Sequence, residues 1–393
     1  MNITFIYDII HPEHGGIGRV TCALSDYFRI HGHGVSYFLA EDSGYPLEKK
    51  HVIRSGNFSL TKENKEEFFN FLKAEKCDVV INQAGWGKTT SSLAYCAHAI
   101  GIPIVSVFHN TLLDIPRNYW ETHEYYFNKI GLYFLKPFIG SKFGRRIAVE
   151  LYKLKHSKHI RETAEKSTRV VLLSDSFKSD FSEYLDCKNI PENICAIPNP
   201  MPFLDVSSPK KKKTIIWCGR VNFSQKRIDL ILDIWKRISE YAKDWELKIV
   251  GGGDELDEAK NLAEKMRLER ISFEGFQNPK KYYEEAEILC MTSAYEGWSM
   301  VLVEASAYGC VPVVFDSYAS AKDVIRDGIN GILVPAFDKQ AYAAAVLRLI
   351  RNEHERTRLS ASAKENSGSF SLEHIGGKWL QMLETIIFKN KKY

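Results

Sequence analysis

Ser293-Ala294-Tyr295-Glu296-Gly297-Trp298-Ser299-Met300-Val301-Leu302-Val303-Glu304-Ala305 follows a short apolar run that ends near Met291. The stretch carries two carboxylates eight residues apart. If a loop at Glu296 leads into a helix containing Glu304, both acids can face one ligand, and the free N–H groups of the helix start can meet an anion. A carboxylate accepts two sugar hydroxyls well. Taken alone, such a pair is more often a loop acid followed by an acid on a solvated helix face. The surrounding chain changes that balance.

Working outward, valine- and isoleucine-rich runs alternate with helix-length segments. In the first half these are Ile3 to Ile9, Val79 to Ile81, Ile104 to Phe108 and Val170 to Leu173. In the second half they are Thr214 to Cys218, Leu247 to Val250, Ile288 to Met291, Val311 to Phe315 and Ile332 to Val334. This alternation predicts parallel sheets covered by helices. Three prolines in Ile197-Pro198-Asn199-Pro200-Met201-Pro202 break the pattern, and a basic run expected to be solvated, Lys210 to Lys213, follows. The predicted organisation is therefore an α/β domain over 1–205, a second over 206–370, and a closing helix and tail over 371–393. Ile228, Ile231, Leu232, Trp235 and Ile238 form an apolar helical stripe, as do Ile375, Trp379, Met382, Leu383 and Ile386 after a capping Ser371. Two open sheets of this kind bind ligands beyond the carboxyl ends of their strands, so a cleft between two facing domains is expected.

Composition narrows the function classes. With 393 residues, 45% hydrophobic and 26% charged, the chain belongs with folded globular proteins. A formal charge of +4 is too small at this length to imply nucleic-acid binding. Eight scattered cysteines without a C-x-x-C pair fit reduced thiols rather than a zinc site. The N-terminus MNITFIYDII lacks a basic leader and no apolar run reaches transmembrane length, so a cytoplasmic protein is expected.

The two-glutamate segment, with Tyr308-Gly309-Cys310-Val311-Pro312-Val313-Val314 after it, resembles the E-x7-E motif of glycosyltransferase family four. The resemblance extends through Gly219-Arg220-Val221, Gln225-Lys226-Arg227, Val250-Gly251-Gly252-Gly253, Phe273-Glu274-Gly275 and Asp327-Gly328-Ile329-Asn330-Gly331. It implies a GT-B fold of two facing Rossmann-like domains and a retaining transfer from a nucleotide-sugar, with a UDP-sugar the expected donor. In that family the first glutamate contacts the donor sugar, the second the ribose, and an arginine and a lysine the diphosphate. Those roles fall on Glu296, Glu304, Arg220 and Lys226. Gly251 and the Gly297, Trp298, Ser299, Met300 and Val301 stretch join the expected donor site, the Trp298 ring packing within its loop. Ser299 stands where the family often has glycine. The diphosphate gains negative charge as the glycosidic bond breaks, and two fixed cations can meet it. No D-x-D motif occurs in the chain, so no metal and no cofactor is expected, the nucleotide-sugar being a substrate. The Gly251-Gly252-Gly253 run does not complete G-x-G-x-x-G, which argues against a dehydrogenase.

The first half carries a compatible pattern. His14-Gly15-Gly16-Ile17-Gly18-Arg19 lies between the first strand and a helix, where glycines let the backbone approach a ligand closely. By resemblance Gly15, Gly16, Gly18 and Arg19 join the donor site, and His109, after the strand Ile104 to Phe108, joins the catalytic group with Arg220, Lys226 and Glu296. Ser174 and Asn199 match supporting positions. From Lys136 to Arg161, eight basic residues face a single acid, Glu150, with Phe138, Phe143 and Tyr152 interleaved. An exposed basic helix and an anionic membrane surface explain this segment equally well. The resemblance makes the first domain the acceptor domain and the acceptor a glycan or lipid-linked glycan, extended at the cytoplasmic membrane face. Alternatives are another GT-B sugar-nucleotide enzyme, such as an epimerase or phosphorylase, and a non-catalytic donor-binding subunit.

Overall fold

The computed structural model describes residues 1–13, 15–85, 87–187, 189–202 and 211–390. The chain divides into two compact units. The first comprises Met1–Asn110, Lys153–Phe203 and Ser369–Tyr393, the second Thr111–Tyr152 and Leu204–Gly368. Two segments therefore differ from the linear division expected from sequence: 111–152 clusters with the second unit, and the closing helix with the first. The expected boundary between 205 and 206 lies outside the described residues, as does Lys210.

In the first unit, β1 (Asn2–Tyr7), β2 (Gly34–Leu39), β3 (Lys50–Val52), β4 (Val79–Asn82), β5 (Ile104–Phe108), β6 (Arg169–Leu172) and β7 (Ile194–Ala196) form one sheet in the order β3-β2-β1-β4-β5-β6-β7. Every pairing is parallel, as in Ile3 with Val35 and Ile3 with Val79. Parallel strands are covered on both faces and become near-continuous apolar runs, and Val79, Val80, Ile81, Ile104, Val105 and Val107 are all buried. Helix Leu372–Asn390 buries Ile375, Trp379, Leu383 and Ile386, while Met382 stays half-buried. Ser371 Oγ accepts from the His374 N–H at 3.3 Å and so caps that helix.

In the second unit, β8 (Lys212–Cys218), β9 (Glu246–Val250), β10 (Ile271–Gly275), β11 (Ala286–Met291), β12 (Val311–Asp316) and β13 (Ile332–Pro335) form a parallel sheet ordered β10-β9-β8-β11-β12-β13. The sheet is assembled outward from β8 in both directions, so β8 and β11 flank the point where strand order reverses. Loops at that point splay apart and leave room for a ligand. Helix Ile228–Ile238 buries the expected stripe against this sheet. The basic run is not uniformly solvated. Lys212 and Lys213 are exposed, but Lys211 turns inward and its Nζ donates to the Tyr283 and Ala286 carbonyls at 2.8 and 2.7 Å. None of the eight cysteines is in a disulfide, and Cys22, Cys290 and Cys310 are buried. Among the described residues no helix is long and apolar enough to cross a membrane.

Residues 111–152 attach to the second unit through specific polar contacts. Asn118, 6% exposed, donates its amide to the Ala294 carbonyl at 2.8 Å and the Ser317 carbonyl at 2.6 Å. From helix Tyr119–Lys129, the Tyr125 ring stacks on Phe223 with centroids 3.7 Å apart, and the Tyr125 and Tyr126 hydroxyls donate to Glu258 and Glu255. A buried carbonyl stripped of its donor costs about 1–3 kcal/mol. Asn118→Ala, which strips two, is expected to destabilise the second unit by about 2 kcal/mol, or roughly 4–8 °C in melting temperature for a unit of this size. A variant melting with the parent in a calorimetric scan would remove this attachment as a determinant of the unit.

Candidate functional site

The sequence-derived site residues of the second unit gather at the carboxyl ends of three neighbouring strands, β9, β8 and β11. The loops there continue to pair beyond the strands: the Gly219 N–H donates to the Val250 carbonyl at 3.0 Å and the Val221 N–H to the Gly252 carbonyl at 2.8 Å. Such close backbone passage excludes side chains. At Gly251, with φ 145°, a Cβ would stand 1.9 Å from the Gly219 carbonyl oxygen, so only glycine fits. Arg220 leaves this junction exposed, with no ion pair among the described residues.

Lys226 and Glu296, seventy residues apart, meet here with Nζ 2.6 Å from Oε1. Both are largely shielded, their side chains 15% and 7% exposed. The turn carrying Lys226 is shaped by Asn222, whose Oδ1 accepts from the Gln225 and Lys226 N–H groups at 3.0 and 2.8 Å. The loop carrying Glu296 is tied to that turn by the Ala294 N–H, which donates to the Gln225 carbonyl at 2.7 Å. Thr292 adds a second tie, its Oγ1 lying 3.0 Å from both the Lys226 and Arg227 carbonyls. Burial of an ion pair is costly unless geometry and partners are supplied, and this double strapping supplies the geometry.

Helix Met300–Ala307 follows the Glu296 loop and contains Glu304, as the sequence predicts. Ser299 caps it, accepting from the Leu302 N–H at 3.2 Å and donating to the Met291 sulfur, also at 3.2 Å. Glu304 does not lie on a solvated face. It is 3% exposed, on a helix buried nearly all round, and Tyr283 places its hydroxyl 3.4 Å from Oε2. Trp298 and Met300 are buried in the loop and first turn, while Gly297 and Val301 are half-exposed. The structure thus brings Arg220, Lys226, Gly251 and Glu296 to one cluster of loops, with Glu304 about one turn into the helix that follows. Sequence reasoning missed Tyr283, Thr292 and Asn222. Tyr283 and Thr292 stand in no motif, whereas Asn222 lies inside the stretch from Gly219 to Arg227 and, as a turn-forming residue, carried a local signal.

In the first unit, Gly15, Gly16 and Gly18 follow β1 and open helix Gly16–Ile30; His14 lies outside the described residues. Gly15, with φ 94°, and Gly16 face open space, whereas a Cβ at Gly18 would come 2.2 Å from the His11 carbonyl oxygen. Gly18 therefore serves the turn itself, letting helix and loop pass in contact. His109 follows β5, and its Nε2 lies 2.6 Å from Gln83 Oε1 at the end of β4. The amide oxygen can only accept, so Nε2 carries the proton and Nδ1, which is buried and has no partner, is left as an acceptor. Burial pushes the imidazole pKa down to about 3, keeping it neutral at physiological pH. Ser174 caps a turn, its Oγ accepting from the Ser176 N–H at 3.0 Å, and Asn199 is buried.

Known proteins share this architecture. Residues 204–366 match the family described as glycosyl transferases group 1, and residues 14–202 match Glycosyltransferase Family 4. The amylovoran biosynthesis glycosyltransferase AmsD of Erwinia amylovora is 27% identical over 94% of this chain and 96% of its own length. Among solved structures, the lipopolysaccharide outer core galactosyltransferase WaaB superposes with a TM-score of 0.67 at 18% identity, over 99% of both chains. Anabaena Alr3699/HepE, solved with UDP and glucose, superposes with a TM-score of 0.70 at 15% identity, over 98% of this chain and 100% of its own. Two parallel-sheet Rossmann-like units, the two-glutamate segment and matches over both halves lead to one conclusion: this chain is a glycosyltransferase with the GT-B fold and belongs to the family-four type.

Proposed function

We propose that this glycosyltransferase moves a sugar from a nucleotide-sugar, preferentially a UDP-sugar, to a glycan or lipid-linked glycan, with retention and without a metal ion. The observation that carries the donor part is the Lys226–Glu296 pair strapped beside exposed Arg220 at the strand-order reversal of the second sheet. With donor bound, the two cations meet the departing diphosphate and Glu296 accepts sugar hydroxyls, so Lys226 exchanges one anionic partner for another. Glu304, further along the helix, suits the ribose. His109, given a place near the donor sugar by the family resemblance, is neutral and would act there as a hydrogen-bonding group rather than a cation. Retention rests on the family alone. The UDP in the HepE structure favours the uridine donor, and the names of AmsD and WaaB favour a polysaccharide or lipopolysaccharide acceptor.

The expected kinetics separate these roles. Charge on the diphosphate grows toward the transition state, so Arg220→Ala and Lys226→Ala each lower turnover by about a hundredfold, roughly 3 kcal/mol, and weaken donor affinity less. Glu304→Ala mainly raises the donor KM, because a ribose contact is equally strong before and during transfer. Glu296→Ala affects both terms. Nucleotide release from a panel of nucleotide-sugars, with and without acceptor, measures all four; parental kinetics in every variant would falsify the donor assignment. In the same assay EDTA is expected to leave turnover intact. Loss of activity restored only by manganese or magnesium refutes the metal-independent mechanism.

We further propose that the basic segment 136–161, together with the apolar residues 130–135 before it, rests on an anionic membrane surface. In this segment Ile130, Tyr133, Phe134, Phe138, Phe143 and Leu151 are each 60–68% exposed, a concentration of large apolar side chains that water does not favour. Lys142 and Arg146 are exposed among them. Apolar side chains can enter the acyl boundary while the cations meet lipid phosphate. Exchanging Lys142, Arg146, Lys155 and Lys158 for glutamine should weaken binding to phosphatidylserine-containing vesicles by several orders of magnitude, at about 1 kcal/mol per charge, and leave donor hydrolysis largely unchanged. Equal sedimentation of variant and parent with such vesicles returns the segment to a solvated basic helix.

A further inference from the structure

Arg227 directly follows Lys226 and is the cap residue before helix Ile228–Ile238, which leads away from the site, yet it is built unlike either neighbour. Its backbone is left-handed, φ 49° and ψ 56°, a conformation that side chains with a Cβ disfavour and glycine adopts freely. Its side chain is 1% exposed although it carries a permanent charge. Both features oppose folding unless something compensates them.

The compensation comes from two elements. Asp229, on the helix that Arg227 opens, takes Nε and Nη2 at 3.0 and 2.8 Å. Helix Tyr119–Lys129 supplies the rest: the Glu121 carbonyl accepts from Nη1, and Glu124 Oε2 accepts from Nη2 at 3.0 Å. Glu124 is itself held from its other oxygen by Lys136 Nζ at 2.8 Å, and Glu121 by Arg145. The guanidinium therefore ties the turn at Lys226 to a helix a hundred residues earlier in the chain, in the same unit. The Lys226 turn is also held by its internal Asn222 bonds, by the straps from the 292–294 loop, by the Phe223 N–H on Glu255 and by the Tyr125–Phe223 stack, and Arg227 adds a charged tie at the residue directly after Lys226.

We infer that Arg227 is a positioning residue for the donor site: its buried, forked attachment to helix Tyr119–Lys129 holds the strained turn that aims Lys226 at Glu296. The inference rests on the donor reading above, since it is the nucleoside diphosphate that Lys226 is aimed to receive. Arg227 touches no reacting atom and acts only through Lys226. That route has a thermodynamic signature: once the Lys226 ammonium is gone, removing Arg227 changes nothing more at the diphosphate.

The test is a double-mutant cycle on the full chain, with UDP, GDP and ADP titrated calorimetrically into the parent, Arg227→Gly, Lys226→Met and the double variant. Glycine relieves the left-handed backbone while removing the tether, so Arg227→Gly remains the variant best placed to fold, as its melting curve will show. Lys226→Met is expected to weaken the bound diphosphate about tenfold and Arg227→Gly about fivefold, while the double variant stays within about twofold of Lys226→Met alone. Effects that multiply instead overturn the inference, because a residue that merely supports the fold or contributes long-range charge would weaken binding in either background. If Arg227→Gly fails to fold, Glu124→Gln takes its place in the cycle, with the same two outcomes. A parent that binds none of the three diphosphates overturns the donor reading, and the inference with it. A parent that binds one of them with multiplicative variants overturns the inference alone.

Discussion

A lysine and a glutamate that meet at 2.6 Å at the end of a central β-strand organise the second unit of this protein. Neither charge would be stable at that depth by itself, and their contact requires the loops after β8 and β11 to be held together within a fraction of an ångström. The means are local and repeated. Glycines let the β8 and β9 loops pass backbone to backbone, a threonine and an alanine N–H strap the two site loops to one another, and an asparagine closes the lysine's turn. The arrangement is costly to assemble and holds its charges in fixed positions, as the proposed donor role requires.

Parallel sheets make such a site available. Because every strand points the same way, the carboxyl-end loops of each sheet emerge on one side, and the reversal of strand order beside β8 and β11 opens a gap between neighbouring loops. In the first sheet the corresponding reversal lies between β1 and β4, where the glycine loop, Gln83 and His109 are found. Burial keeps that histidine neutral, so it enters any chemistry as a hydrogen-bonding group rather than a cation.

Residues 111–152 show how a connecting segment becomes part of the scaffold. Asn118 fills two carbonyls of the second unit, Tyr125 stacks on the turn next to Lys226, and Glu121 and Glu124 receive Arg227. The same segment then exposes its aromatic and aliphatic side chains to the outside. Surface and site are thus built on one short stretch of chain, with Glu124 bonded on one side to Lys136 and on the other to Arg227.

The sequence by itself pointed to the two parallel sheets and to most residues of the proposed donor site, because both are written locally. A buried parallel strand is an uninterrupted apolar run, and nine of these were legible, including β4, β5, β11 and β12. The strands that escaped were mainly those at or near sheet edges, β3, β7 and β10, whose half-exposed residues alternate weakly or not at all. Glu296, Glu304, Arg220 and Lys226 were legible because their spacing is a motif. Only the tertiary structure decided that both glutamates are buried, that Lys211 turns inward, that Gly18 serves its own turn, and that 111–152 packs with the second unit. It also decided that Arg227 is held by a helix a hundred residues away. Periodicity and spacing report what a residue does to its own few neighbours. Which charge finds which partner across seventy or a hundred residues is settled only when the sheets have formed and left each buried group a single place to make its bonds.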